Sequence, residues 1–164
     1  MYQTSLNSGV VPDDWKTANI FPLFKKGDKN NVENYRPISL TSIACKLLEH
    51  IVHSTTMDFL DSNNILTPYQ HGFRQGRSCE SQLLTTLNDF TKTFNSSGQT
   101  DAILLDFSKA FDKVDHKILL SKIDAMGIQG PLHDWMSSFL KDRLQYVIVD
   151  GSSSEPCKEL PGVP

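Results

Sequence analysis

The chain has 164 residues, 38% of them hydrophobic and 21% charged, with a formal net charge of −3. This balance suits one domain or part of a larger one, argues against disorder, and leaves no apolar run long enough to span a bilayer. The mildly negative charge does not advertise nucleic-acid binding, so any such surface has to come from local clusters.

In chain order, Ser5 to Trp15 is punctuated by Gly and Pro and reads as a loop or a short helix end. Thr17 to Phe24 reads as a short strand in which Pro22 implies an edge or a break. Lys25-Lys26-Gly27-Asp28 is turn chemistry. Asn34-Tyr35-Arg36-Pro37-Ile38-Ser39-Leu40 is extended, because Pro37 keeps Arg36 out of helical geometry. A helix is predicted from about Ser42 to Leu60, with Ile43, Leu47, Ile51 and Phe59 on its apolar stripe and Leu48 and Val52 widening it.

Gly72 to Ser78 is a glycine-punctuated basic loop, and Ser78 is the expected N-cap of a second helix carrying Leu83, Leu87, Phe90 and Phe94. Ala102-Ile103-Leu104-Leu105 reads as a buried strand that ends at Asp106. A helix from about Ser108 to Met126 should follow, with Gly127 past its end and Asp112 and Asp115 early in it. Pro131 opens another helix with Leu132, Trp135, Met136 and Phe139 on one face. Gln145 to Gly151 reads as a strand into a turn, with a second strand from Cys157 to Leu160.

Three cysteines, Cys45, Cys79 and Cys157, form no CxxC pair, so buried structural thiols are expected rather than disulfides or zinc. The five histidines show no metal-ligand spacing. The N-terminus lacks a signal peptide, which gives an intracellular location, nucleus or cytoplasm, as the default.

Asp106 is the most informative residue. A carboxylate directly after four aliphatic residues has to leave the core, so chemistry is expected where the strand stops. A helix N-cap is the bland reading of the same pattern. In the loop Gly72 to Ser78, Arg74 and Arg77 offer planar forks for phosphate, or form a solvated turn. Arg36, held extended, could reach a triphosphate or pair with a surface acid. Phe111 could pack in the core or wall a substrate pocket.

Taken together and in order, these segments resemble one family. They are Pro12-Asp13-Asp14-Trp15-Lys16, Pro22 to Gly27, Asn34 to Leu40, Gly72 to Ser78, Leu105 to His116, and Gly162-Val163-Pro164. The family is the reverse transcriptase domain of non-LTR, LINE-type retrotransposons, and the resemblance runs from about Ser5 to Pro164.

The resemblance implies an α+β fold, a partial right-hand polymerase of fingers plus incomplete palm, helix-rich with a few short strands. Residues 1–164 would form an incomplete reverse transcriptase domain, with about 1–100 as fingers and about 101–164 as the start of the palm. It implies nucleotidyl transfer with two Mg2+ ions held by aspartates. Asp106 matches the first catalytic aspartate, and the backbone carbonyl of Phe107 matches a second metal ligand. Arg36 matches a contact to the incoming triphosphate. Lys25 and Lys26 fall in the same region as nucleotide or template contacts. Phe111 matches the position under the sugar that excludes a 2′-hydroxyl. Arg74 and Arg77 lie in a segment that packs near the template. The implied partners are an RNA template, a DNA primer and dNTPs, with no membrane and an oligomeric state left open.

In the family Gly-Val-Pro continues with Gln-Gly, and a paired-aspartate motif follows; neither continuation is present here. One aspartate and a carbonyl are then expected not to hold two Mg2+ ions, and this chain alone is expected to be inactive. Strand 102–106 is expected to present an open, apolar edge. A non-catalytic RNA-binding remnant of the same domain is the alternative. An Asp-nucleophile hydrolase is disfavoured, because the second acid such enzymes need would stand at Ser108.

Overall fold

The structure, a computed structural model, describes residues 1–158, 162 and 163. It mixes helices with one small sheet, and the chain falls into two compact units, Met1–Thr56 with Lys109–Pro164, and Met57–Ser108.

In the first unit, helix α1 (Tyr2–Ser8) ends within the segment read as a loop or a short helix end. It stops at Gly9, whose φ of 66° is the left-handed conformation that suits glycine at a helix end. A Cβ on Gly9 would stand 2.6 Å from the Cβ of Asp134, so the same glycine permits close packing.

Strand β1 (Thr17–Phe24) runs antiparallel to β2 (Tyr35–Leu40). Over Thr17–Ile20 it also runs parallel to β3 (Leu144–Val149). Two short strands, β4 (Ser152–Ser153) and β5 (Cys157–Lys158), pair antiparallel with β3. Pro22 does not break β1. It lies opposite Pro37, beyond the last parallel pair Ile20–Val147, where the strand has a neighbour on one side and the missing N–H costs no ladder bond. Residues 159 and 160 of the expected final strand lie outside the described residues.

Helix α2 (Ile43–Ser62) forms close to its expected bounds, and the division between the units falls within it. Its buried face is the widening edge of the predicted stripe, Leu48 and Val52, joined by Cys45, and not the stripe's centre. Cys45, Leu48 and Val52 are buried, whereas Ile43, Leu47 and Ile51 are more than half exposed. Both sets have helical spacing, and packing selected the second. The core of the first unit joins those three residues to Val11, Trp15 and Trp135. Helix α4 (His116–Ala125) and helix α5 (Pro131–Leu140) follow, and Leu132, Met136 and Phe139 pack against this core as the α5 pattern predicts. Trp135 donates its Nε1–H to Ser5 Oγ at 3.0 Å, which satisfies a buried polar atom between α5 and α1.

The second unit is built on α3 (Cys79–Asn95). Ser78 caps it as expected: its hydroxyl accepts from Ser81 N–H at 3.2 Å, and Ser81 Oγ accepts from Ser78 N–H at 2.9 Å. The apolar stripe of α3 stays uncovered, with Leu83, Leu87 and Phe94 well exposed.

Two expected elements differ. Residues 102–105 form no strand; Ile103, Leu104 and Leu105 are exposed, and no described strand pairs with them. An apolar run becomes a strand only by laddering with a neighbour, so propensity alone does not make one. The helix expected from Ser108 starts instead at His116. Lys109 has a φ of 53°, and Asp115 has extended backbone and accepts from Ile118 N–H at 3.0 Å, so Asp115 is the N-cap and residues 108–113 are turns. The end is as predicted, with Gly127 at φ 91° beyond Met126. Of the cysteines only Cys45 is buried; Cys79 and Cys157 are exposed, against expectation. Among the described residues no helix is long and apolar enough to cross a membrane.

Candidate active site

The β1–β2 hairpin presents three of the candidate side chains. Its connection is stitched by its own polar groups. Lys25 N–H donates to Asn34 O at 2.8 Å, Asn34 Nδ2 donates to Asp28 O at 2.8 Å, and Asn30 N–H donates to Asp28 Oδ1 at 2.9 Å. Gly27, with φ 94°, leaves no room for a Cβ beside the Asn34 amide. Phe24 and Tyr35 stack edge-on at 5.5 Å where the strands end, and Lys29 lies over the Phe24 ring at 5.6 Å. This bracing leaves Lys25, Lys26 and Arg36 exposed on one hairpin, with Arg36 paired opposite Leu23. Sequence reasoning named the cations but not the aromatic pair that stiffens their support.

In the second unit the basic loop folds on itself. Arg74 Nη2 pairs with Asp61 Oδ1 at 2.6 Å, and its Nη1 donates to Thr67 O at 3.3 Å. Arg77 Nη1 donates to Pro68 O. Both guanidiniums thus spend donors holding the loop, which the sequence reading did not anticipate. Of its glycines, Gly76 is needed for a φ of 70°, while Gly72 faces open space.

Asp106 and Phe107 are exposed and belong to the same unit as Arg74 and Arg77; Phe111, Arg36, Lys25 and Lys26 belong to the other. Among the described residues no three His, Cys, Asp or Glu side chains converge to hold a metal. The exposed Asp106 carboxylate and the adjacent Phe107 carbonyl are hard oxygen donors of the type Mg2+ prefers, so they fit part of such a site. The carboxyl of Asp115 is held below its ordinary value of 3.8, first by the hydrogen bond from Ile118 N–H, which marks it as a helix cap.

The turn carrying Phe111 is engaged from far along the chain. Val163 N–H donates to Phe111 O at 3.1 Å. His116 Nε2 bonds the Gly162 carbonyl. Gly162 has φ 140°, and a Cβ there would lie 2.9 Å from Asp112 Cα. Pro164 lies outside the described residues. A cavity of about 270 Å³ borders Val163 and includes Ser39, Lys46 and the buried Arg143 in its lining. Sequence reasoning quoted His116 within a motif without a role, and tied Gly162 only to a motif that helps position nucleotide and template in the family.

Residues 24–164 match the family described as reverse transcriptase (RNA-dependent DNA polymerase). The chain is 33% identical to the probable RNA-directed DNA polymerase from transposon BS of Drosophila melanogaster, over the whole chain and 18% of that relative. It is 29% identical to the RNA-directed DNA polymerase from mobile element jockey of the same species, with the same coverage. It is also 29% identical to the Pol polyprotein of the type-1 retrotransposable element R2 of Popillia japonica, over 85% of the chain and 19% of the relative. The chain therefore spans under a fifth of the length of these curated relatives. The match over residues 24–164 and the likeness to these retrotransposon polymerases lead to one conclusion: the chain belongs to the reverse transcriptase family, in its non-LTR retrotransposon branch.

Proposed function

We propose that this chain supplies the fingers and the start of the palm of an RNA-directed DNA polymerase. About 1–100 would serve as fingers and about 101–164 as the first part of the palm. The observation that carries the reading is the family match over residues 24–164, with Asp106 exposed within it.

Asp106, through its carboxylate, and Phe107, through its backbone carbonyl, would hold Mg2+. When bound, such an ion offsets charge on the triphosphate and favours the ionised primer 3′-hydroxyl. Arg36 binds the incoming triphosphate, because a guanidinium fork pairs with phosphate oxygens bidentately. Lys25 and Lys26, on the same braced hairpin, add positive charge for nucleotide or template. Phe111 places an apolar ring under the sugar and disfavours a 2′-hydroxyl there. Arg74 and Arg77 shape the loop near the template strand, with their remaining N–H groups directed to its backbone. The partners are an RNA template, a DNA primer and dNTPs.

The test is RNA-templated incorporation of dNTPs by the intact polymerase carrying this segment. Extension that requires an RNA template, a primer and a divalent cation supports the reading; purified, folded polymerase that incorporates nothing contradicts it.

A further inference from the structure

We infer that His116 is a positioning residue for the ribose-facing wall: it clamps the Gly162–Val163 segment to the Phe111–Asp112 turn and so sets where the Phe111 ring stands. The inference rests on the reading of Phe111 as the sugar-excluding side chain. Three contacts of different kinds bring the same two segments together. The Gly162 carbonyl can only accept, so His116 Nε2 carries the proton and donates. One residue on, Val163 N–H donates back to Phe111 O at 3.1 Å. Between them Gly162 rides directly on Asp112, with no space for a side chain.

The turn needs such support. Residues 108–113 have no helical ladder, Lys109 takes a positive φ, and the local backbone bond to Phe111 O, from Val114 N–H, is long at 3.4 Å. His116 is better placed to do so than a loop residue. It is the first residue of α4, directly after the capping Asp115, so its backbone is fixed by the helix start. The imidazole thus transfers the rigidity of α4 to the Gly-Val segment, and that segment returns it to Phe111.

The experiment compares His116→Ala and His116→Gln with the native residue by two readouts. Amide exchange at Val163 is followed by NMR in the 164-residue chain, and deoxyribonucleotide-over-ribonucleotide preference is measured in the intact polymerase, with Phe111→Ala as control. Alanine is expected to speed Val163 exchange and relax sugar preference by roughly fivefold to tenfold, the weight of one lost hydrogen bond. Glutamine, whose side-chain amide also donates, is expected to restore both. Unchanged Val163 exchange in His116→Ala overturns the clamp, and glutamine as defective as alanine overturns the donor role. Normal sugar preference in His116→Ala, alongside relaxed preference in Phe111→Ala, overturns the link between clamp and wall. Unchanged preference in Phe111→Ala refutes the sugar reading itself, and Val163 exchange then decides the clamp alone.

Discussion

Val163 and Phe111 share a backbone hydrogen bond of 3.1 Å, so the Gly-Val segment and the Phe111 turn are one structural piece despite their separation in sequence. This gives the ring a fixed base, as a sugar-selecting wall requires. Phe111→Ala in the intact polymerase should raise ribonucleotide use relative to deoxyribonucleotide by about tenfold or more, the scale on which a pocket wall discriminates small groups. Measurement of kcat/KM for paired nucleotides checks this, and unchanged selectivity would refute the role.

The pair Ser5 and Trp135 should carry much of the first unit's stability. Ser5 Oγ accepts from Trp135 and donates to Val10 O at 2.6 Å. Ser5→Ala strips both groups of that hydroxyl and should cost about 1–3 kcal/mol. Trp135→Ala, which empties a core position only 2% exposed, should cost about 3–5 kcal/mol. Urea unfolding reads both; a native midpoint for Ser5→Ala would count against the bond.

The three thiols should separate by reactivity. Burial pushes the Cys45 thiol up to about 12, with a hydrogen bond to Glu49 and the charge of Glu49 adding to it and Arg143 opposing. Cys79 and Cys157 are exposed. Iodoacetamide at mildly alkaline pH should alkylate those two in the folded chain and reach Cys45 only on unfolding. Mass spectrometry showing Cys45 modified as fast as the others would contradict the core described here.

Acid should loosen the start of α4. The folded Asp115 carboxyl titrates below its ordinary 3.8, chiefly through the Ile118 hydrogen bond. A depressed carboxylate stabilises the fold above its unfolded value, and that contribution is lost as pH falls through the folded value. The window therefore lies below about pH 4. Asp115→Asn keeps a capping oxygen without the titration and should remove this pH dependence. An NMR titration placing Asp115 at an ordinary midpoint would refute it.

Elements marked by local chemistry were legible in the sequence. The Ser78 cap, Pro131 at the start of α5 and Gly127 after α4 each act through neighbouring backbone, and each stands where expected. The failures involve long-range choices. Residues 102–105 have strand composition but no described neighbour to ladder with. On α2 two apolar stripes overlap, and helical period cannot tell which one Trp15 and Trp135 will cover. The candidate residues Asp106 and Arg36 stood out in the sequence and are exposed, whereas the His116–Gly162 bond joins residues 46 apart and has no local signature.

Asp106 carries the central claim, and Asp106→Asn in the intact polymerase tests it most directly. Asparagine keeps the size and removes the charge. RNA-templated primer extension should fall by about a thousandfold or more, the loss of several kcal/mol of charge stabilisation, while template–primer binding stays within about threefold of native. Extension by Asp106→Asn at the native rate would contradict the assignment of Asp106 as a metal-holding catalytic residue.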